Sequence, residues 1–166
     1  MNRDNPHTIS ILVNNQPGAL IRVAQVFTRR AFNINSINVS PTLDNRYSHM
    51  TITATGDPDT VRQIILQLEK LIDVLHAKEH SATETTRREL AMVKVVTTDF
   101  KTLRELDLPK VHLLVVEELK GHGVIQVTGD SNNIDRAVAS LKSKYEIIEL
   151  LRTGVISITH ADRLET

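Results

Sequence analysis

The sequence predicts an α+β fold made of two ferredoxin-like βαββαβ modules in tandem. Three observations carry that prediction. Two segments align without a gap, ITATGDPDTVRQIILQLEKLIDVLHA from Ile52 and IQVTGDSNNIDRAVASLKSKYEIIEL from Ile125, and each reads strand, Thr-Gly-Asp, helix, strand. Around each repeat, apolar residues switch between a period of two and a period near 3.6, as strands and helices require. A polar, aperiodic stretch, HSATETTRRE, separates the halves. The expected division is therefore residues 1–80, a linker at 81–89, and residues 90–166.

The first module opens with a strand at Thr8–Val13, which puts Ile9, Ile11 and Val13 on one face. Leu20, Val23, Ala24, Phe27 and Ala31 then recur at helical spacing. Ile37 and Val39 alternate with Ser36, Asn38 and Ser40, which suits a half-buried strand. A turn through Leu43-Asp44-Asn45-Arg46 leads to Met50, Ile52 and Ala54. The next helix is expected to start at Asp57, an N-cap whose carboxylate accepts from orphan backbone N–H groups, with Pro58 in its first turn. It carries Val61, Ile64, Ile65, Leu68, Leu71 and Ile72 on one face, and a strand at Val74–Ala77 closes the unit.

The second module repeats the order. A strand at Ala91–Val96 precedes a short helix near Phe100–Leu106 and a strand at Val111–Glu117. Gly121-His122-Gly123 turns into Val124–Val127, followed by a helix from Asp130 and a strand at Glu146–Leu151. Modules of about 75 residues lie near the lower size limit for a self-sufficient core. Their open sheet edges also need pairing or cover. Association into at least a dimer is expected.

Composition narrows the function. The 20 basic and 20 acidic residues balance and aromatics are few, so the chain lacks the basic face or stacking platform of a nucleic-acid binder. Without cysteine there is no disulfide framework, thiolate nucleophile or zinc–thiolate site. The N-terminal MNRDNPHTIS has no apolar core of signal-peptide length, and no apolar run is long enough to span a bilayer. A cytoplasmic protein is expected. His76 and His80, the one close histidine pair, fall at a strand end where positions four apart do not converge on a metal. There is no Gly-x-Ser-x-Gly elbow, Walker loop or Gly-x-Gly-x-x-Gly motif. Glu84, Glu117 and Glu118 lack the apolar surroundings that general-acid work demands. The sequence therefore offers no catalytic residues and no metal ligands.

The segment with binding chemistry is VNNQPGALIRV, Val13–Val23. Asn14-Asn15-Gln16-Pro17-Gly18 feeds a helix whose first N–H groups lack intrahelical partners and whose dipole favours a negative group. Gly18 has no Cβ, so a ligand can approach the backbone closely. Asn15 offers a donor and an acceptor. A small carboxylate suits these features, although Pro-Gly before a helix is most often an ordinary turn.

ISILVNNQPGALIRVAQVFTRRAFNINSINV, followed by SHMTITATGD and QLEKLIDVLHA, resembles the small regulatory subunits of acetohydroxyacid (acetolactate) synthase, with an ACT domain as the N-terminal module. The resemblance resumes more weakly at RRELAMVKV, IQVTGDS and LLRTGVISI. It implies a non-catalytic subunit that activates the catalytic subunit of this synthase and confers feedback inhibition, usually by valine, in branched-chain amino-acid synthesis. It implies no cofactor in this chain, with thiamine diphosphate, Mg and FAD carried by the catalytic subunit. It implies a homodimer whose effector lies between Asn15, Gly18, Ala19 and Leu20 of one chain and Asn33 and Ile34 of the other. It also assigns amino-acid sensing to residues 1–80, and engagement of the catalytic subunit to an ACT-like domain at 90–166.

Four departures accompany the resemblance. Ala31 replaces the glycine usual before the aromatic-Asn-Ile motif, and His49 replaces an arginine before Met-Thr. Residues 98–120 match poorly, and the tail THADRLET lacks the usual Arg-Gly. A stand-alone ACT-type sensor, or a fragment of an Lrp-like transcriptional regulator, is the second reading; the latter needs a DNA-binding helix pair for which no segment remains. An enzyme on the same scaffold is a third reading, with no residue set in its favour.

Overall fold

The structure is a computed structural model that describes Pro6–His160. The described residues divide into two compact units, one running through Thr86 and resuming at Gly154, the other spanning Arg87–Thr153. The tail residues 161–166 lie outside the described residues.

The first unit contains β1 (Pro6–Asn14), α1 (Ala19–Arg29), β2 (Asn33–Pro41), β3 (Tyr47–Thr55), α2 (Pro58–Leu68) and β4 (Val74–Glu79). Its sheet has the order β2-β3-β1-β4 with antiparallel neighbours. Register places Ile9 opposite Ile52 and Ile11 opposite Met50, with Ile37 also opposite Ile52. Those side chains share one face, and the helices cover it with Val23, Val26, Phe27, Val61, Ile64 and Leu68. Asp57 caps α2 as expected, accepting from the Thr60 N–H at 3.0 Å.

Three residues expected on apolar helix stripes lie off the core: Leu20, on α1 but 44% exposed, and two exposed residues beyond the helix ends. Ile72 is 91% exposed, because α2 ends at Leu68 and the chain turns before reaching it. Ala31 is exposed as well: α1 ends at Arg29, and Ala31 takes φ 51°. The Ala31 N–H donates to Thr28 O and the Phe32 N–H to Phe27 O. That hydrogen-bond pair is a Schellman stop, in which the left-handed residue normally is glycine.

The second unit holds most of β5 (Thr85–Val96), then α3 (Phe100–Arg104), β6 (Val111–Leu119), β7 (His122–Gly129), α4 (Ser131–Lys144) and β8 (Ile147–Arg152). Its order, β6-β7-β5-β8, repeats the first sheet position for position. Ala91, Val93, Val95, Leu103, Ile125, Val127, Ile134 and Leu141 form its core. Asp130 caps α4 through the Asn132 N–H at 3.0 Å, the counterpart of Asp57. The carboxylate of Glu89, buried at the start of the sheet, takes two hydrogen bonds from Arg152 (2.8 and 2.7 Å) and one from Ser131 Oγ (2.7 Å).

The expected linker at 81–89 is largely structured. Only Ser81–Glu84 forms a turn, closed by Ser81 N–H and hydroxyl bonds to the Glu84 carboxylate, and β5 begins at Thr85. A further strand, β9 (Ile156–Thr159), has no counterpart in the sequence reading. This segment belongs to the first unit. Asn38 Nδ2 donates to Val155 O at 3.0 Å, the Ser10 and Ser157 hydroxyls lie 3.3 Å apart, and the His160 N–H donates to Glu84 O. The tail thus crosses the polar side of the first sheet, and Gly154 makes the crossing possible. Its φ is +80°, and a Cβ there would fall 2.4 Å from Ser36 Cβ.

Candidate functional site

The loop between β1 and α1 is held on two sides. The Asn14 N–H donates to Asp73 O (2.7 Å), next to the start of β4. The Asn15 N–H donates to Arg46 O (2.7 Å), and Asn15 Nδ2 donates to Asn45 O (2.9 Å), both on the β2–β3 turn. Gly18 is the N-cap of α1, at φ 88° and ψ −13°, and no side chain caps the helix. The Ala19 N–H turns back to Gln16 O and that of Arg22 to Gly18 O. Among the described residues, the N–H groups of Leu20 and Ile21 have no backbone acceptor. A helix start with free donors and no acidic residue in its first turn attracts an anion.

Asn15, Gly18, Ala19 and Leu20 therefore form one contiguous rim. Asn15 is exposed and Ala19 buried, while Leu20, 44% exposed, turns its side chain outward rather than into the core. Asn33 and Ile34, at the start of β2, are not part of this rim within one chain. Asn33 pairs with Thr55 at the far end of β3, whereas Asn14 pairs with Tyr47 at its near end. Eight strand steps separate the two ends, about 27 Å at roughly 3.4 Å per residue. One chain thus holds the two sets of candidate residues at opposite ends of a sheet, with β2 as the sheet's outer strand.

Two residues at this loop were missed from the sequence. Arg22 lies one turn into α1, and its Nε donates to Asp73 Oδ2 at 2.5 Å. Asp73 is nearly buried, with its side chain 8% exposed. The helical spacing places Arg22 beside Gly18, but nothing in the sequence pairs it with a residue 51 positions away. Among the described residues, no group of three or more His, Cys, Asp or Glu is placed to hold a metal ion. No helix among them is long and apolar enough to cross a membrane.

Comparison with known proteins gives the same reading over both units. Residues 9–76 match the model of the AHAS small subunit-like ACT domain, and residues 88–161 match that of the small subunit of acetolactate synthase. The acetolactate synthase small subunit of Buchnera aphidicola is 36% identical over 90% of this chain and 95% of its own. The probable small subunit of Archaeoglobus fulgidus is 36% identical over 95% and 98%. The small subunit of Escherichia coli isozyme 3 is 31% identical over 94% and 96%. The crystal structure of the small subunit from Thermotoga maritima superposes with a TM-score of 0.79 at 27% identity, covering 96% of this chain and 99% of that one. With a tandem βαββαβ architecture, a glycine-capped helix start and matches spanning both units, the chain belongs to the acetolactate synthase small subunit family.

Proposed function

We propose that this chain is the non-catalytic regulatory subunit of acetohydroxyacid synthase. In this reading it binds and activates the catalytic subunit and senses valine, or leucine or isoleucine, as a feedback inhibitor. The thiamine diphosphate, Mg and FAD of the holoenzyme belong to the catalytic subunit, and the assembly is cytoplasmic.

The observation that supports the effector site is the separation of its two halves. Antiparallel pairing of two β2 edges about a twofold axis sets the start of one β2 beside the end of the other. That end lies on the same side of the sheet as the Asn15–Leu20 rim, since Pro41 pairs with Ser48 and Asn14 with Tyr47. Asn33 and Ile34 of a second copy then face the rim of the first, and the pairing also removes an open edge. Residues 90–166 supply the second, catalytic-subunit-engaging module.

The energetics suit a metabolite sensor. Burying a valine side chain contributes about 1.5–3 kcal/mol. A carboxylate at a helix start adds roughly 0.3–2 kcal/mol, and each hydrogen bond about 0.5–1.5 kcal/mol. A total of about 4–7 kcal/mol corresponds to dissociation constants from about 1 mM to about 10 µM. A site shared between chains also couples ligand to chain pairing, the differential affinity that allostery requires.

Calorimetric titration with L-valine, leucine, isoleucine and D-valine tests the reading, followed by reconstitution with the catalytic subunit. Stereoselective binding that is lost in Gly18→Asp supports it, because that variant forces a side chain onto the left-handed N-cap and drives its Cβ to within 2.8 Å of Arg22 Nη1, which displaces the helix start that receives the carboxylate. Unchanged valine binding by Gly18→Asp would remove the rim from the effector site.

A further inference from the structure

We infer that Asp73 and Arg22 form a clasp that fixes the geometry of the Asn15–Gly18 loop, making them positioning residues for the ligand that the loop receives. The inference rests on the effector-site reading above for the identity of the ligand, and on the chain's own geometry for the clasp. Asp73 holds both ends of the loop. Its backbone oxygen takes the Asn14 N–H at 2.7 Å, just before the loop starts, and its carboxylate takes Arg22 Nε at 2.5 Å, one turn after it ends.

Two features argue against an incidental surface pair. The Asp73 side chain is only 8% exposed, and a buried carboxylate needs its charge partner. The guanidinium is also placed over the loop's closing residue, with Nη1 2.8 Å from where a Cβ on Gly18 would stand. Arg22 thus sets how far the Gly18 backbone stands from its neighbours. Gly18 in turn sets the direction of the free Leu20 and Ile21 N–H groups. The planar guanidinium can bond Asp73 through Nε while its other nitrogens lie over Gly18; a lysine ammonium cannot do both.

The test uses the full chain with Arg22→Gln, Arg22→Lys and the neutral pair Arg22→Gln/Asp73→Asn, which keeps a hydrogen-bonding side chain at each position. Amide hydrogen exchange at Asn15, Gln16 and Ala19, whose N–H groups are hydrogen-bonded, reads the loop directly, and titration with L-valine reads the site. Faster exchange at those amides is expected in all three, with exchange in the β1 and β3 core unchanged. Valine affinity is expected to fall about tenfold or more, a factor equivalent to about 1.4 kcal/mol, and least in Arg22→Lys. Unchanged loop exchange in Arg22→Gln and in the neutral pair overturns the clasp. Loss of protection throughout the first unit overturns it too, by assigning the pair to overall stability. If the unaltered chain binds no valine, the effector reading fails, while loop exchange still decides the clasp.

Discussion

Replacing Ala31 with glycine is expected to stabilise the first unit, the reverse of the usual effect of an alanine-to-glycine change. Ala31 stands at the left-handed position of the Schellman stop after α1, with φ 51°. An L side chain in that region costs about 1–2 kcal/mol, which glycine escapes. Glycine gives back roughly 0.4–1 kcal/mol through the greater freedom of the unfolded chain. Because Ala31 is exposed, no packing is lost with its methyl group. The midpoints leave a net gain of about 0.8 kcal/mol. For a unit of this size that means an increase in Tm of about 2–8 °C. Differential scanning calorimetry of the full chain, resolved into the transitions of the two units, measures it. Slower hydrogen exchange at the Ala31 and Phe32 amides, which close the stop, would locate the gain. An unchanged or lowered transition for the first unit would show that the stop tolerates alanine without strain, and would refute the reasoning.

Gly154→Ala is expected to release the tail, because it combines a left-handed φ with a Cβ 2.4 Å from Ser36 Cβ. A cost of about 2–4 kcal/mol should appear as faster exchange at Val155–His160, while the α4 amides stay protected. Arg152→Met takes the guanidinium from the buried Glu89 carboxylate, which keeps the Ser131 hydroxyl bond, at up to about 3 kcal/mol, and urea unfolding of the second unit reports it. Burial holds the His49 imidazole below its ordinary pKa of 6.5, favouring the neutral ring in the folded chain. The unfolded chain therefore takes up a proton first as pH falls. His49's contribution is complete above about pH 6.5, declines below it, and levels off beneath the folded-state pKa. Stability measured between pH 5 and 8 should decline less in His49→Asn; an identical profile would contradict this.

The order of strands and helices was legible in the chain because local rules and global packing agree. Ile9, Ile11 and Val13 alternate as a half-buried strand should, and they are buried. Asp57 and Asp130 stand where capping chemistry puts them, and both cap. The repeat itself declared that the two sheets share one topology. The Asn15–Leu20 rim was legible for the same reason, since a Pro-Gly turn followed by an apolar helical period announces an uncapped helix start.

What the sequence did not disclose depends on contacts distant in the chain. The strand at Ile156–Thr159 was missed because its pattern is inverted: Ser157 is buried against Ser10, while Ile156 and Ile158 are 55% and 75% exposed. Period-two reasoning assumes that the apolar side faces inward. Small polar side chains at Ser10, Ser36 and Asn38 let another backbone approach closely, and only the folded sheet brings those three together. Ile72 and Ala31 fit the helical period but lie beyond helix ends that turn geometry, not hydrophobicity, decides. The Arg22–Asp73 pair, likewise, joins positions that no local pattern relates. Composition, periodicity and capping determined the two modules and the glycine-capped start of the first helix. Long-range pairing decided where the tail runs, what holds the loop, and that Asn33 and Ile34 lie a full strand length from it in the same chain.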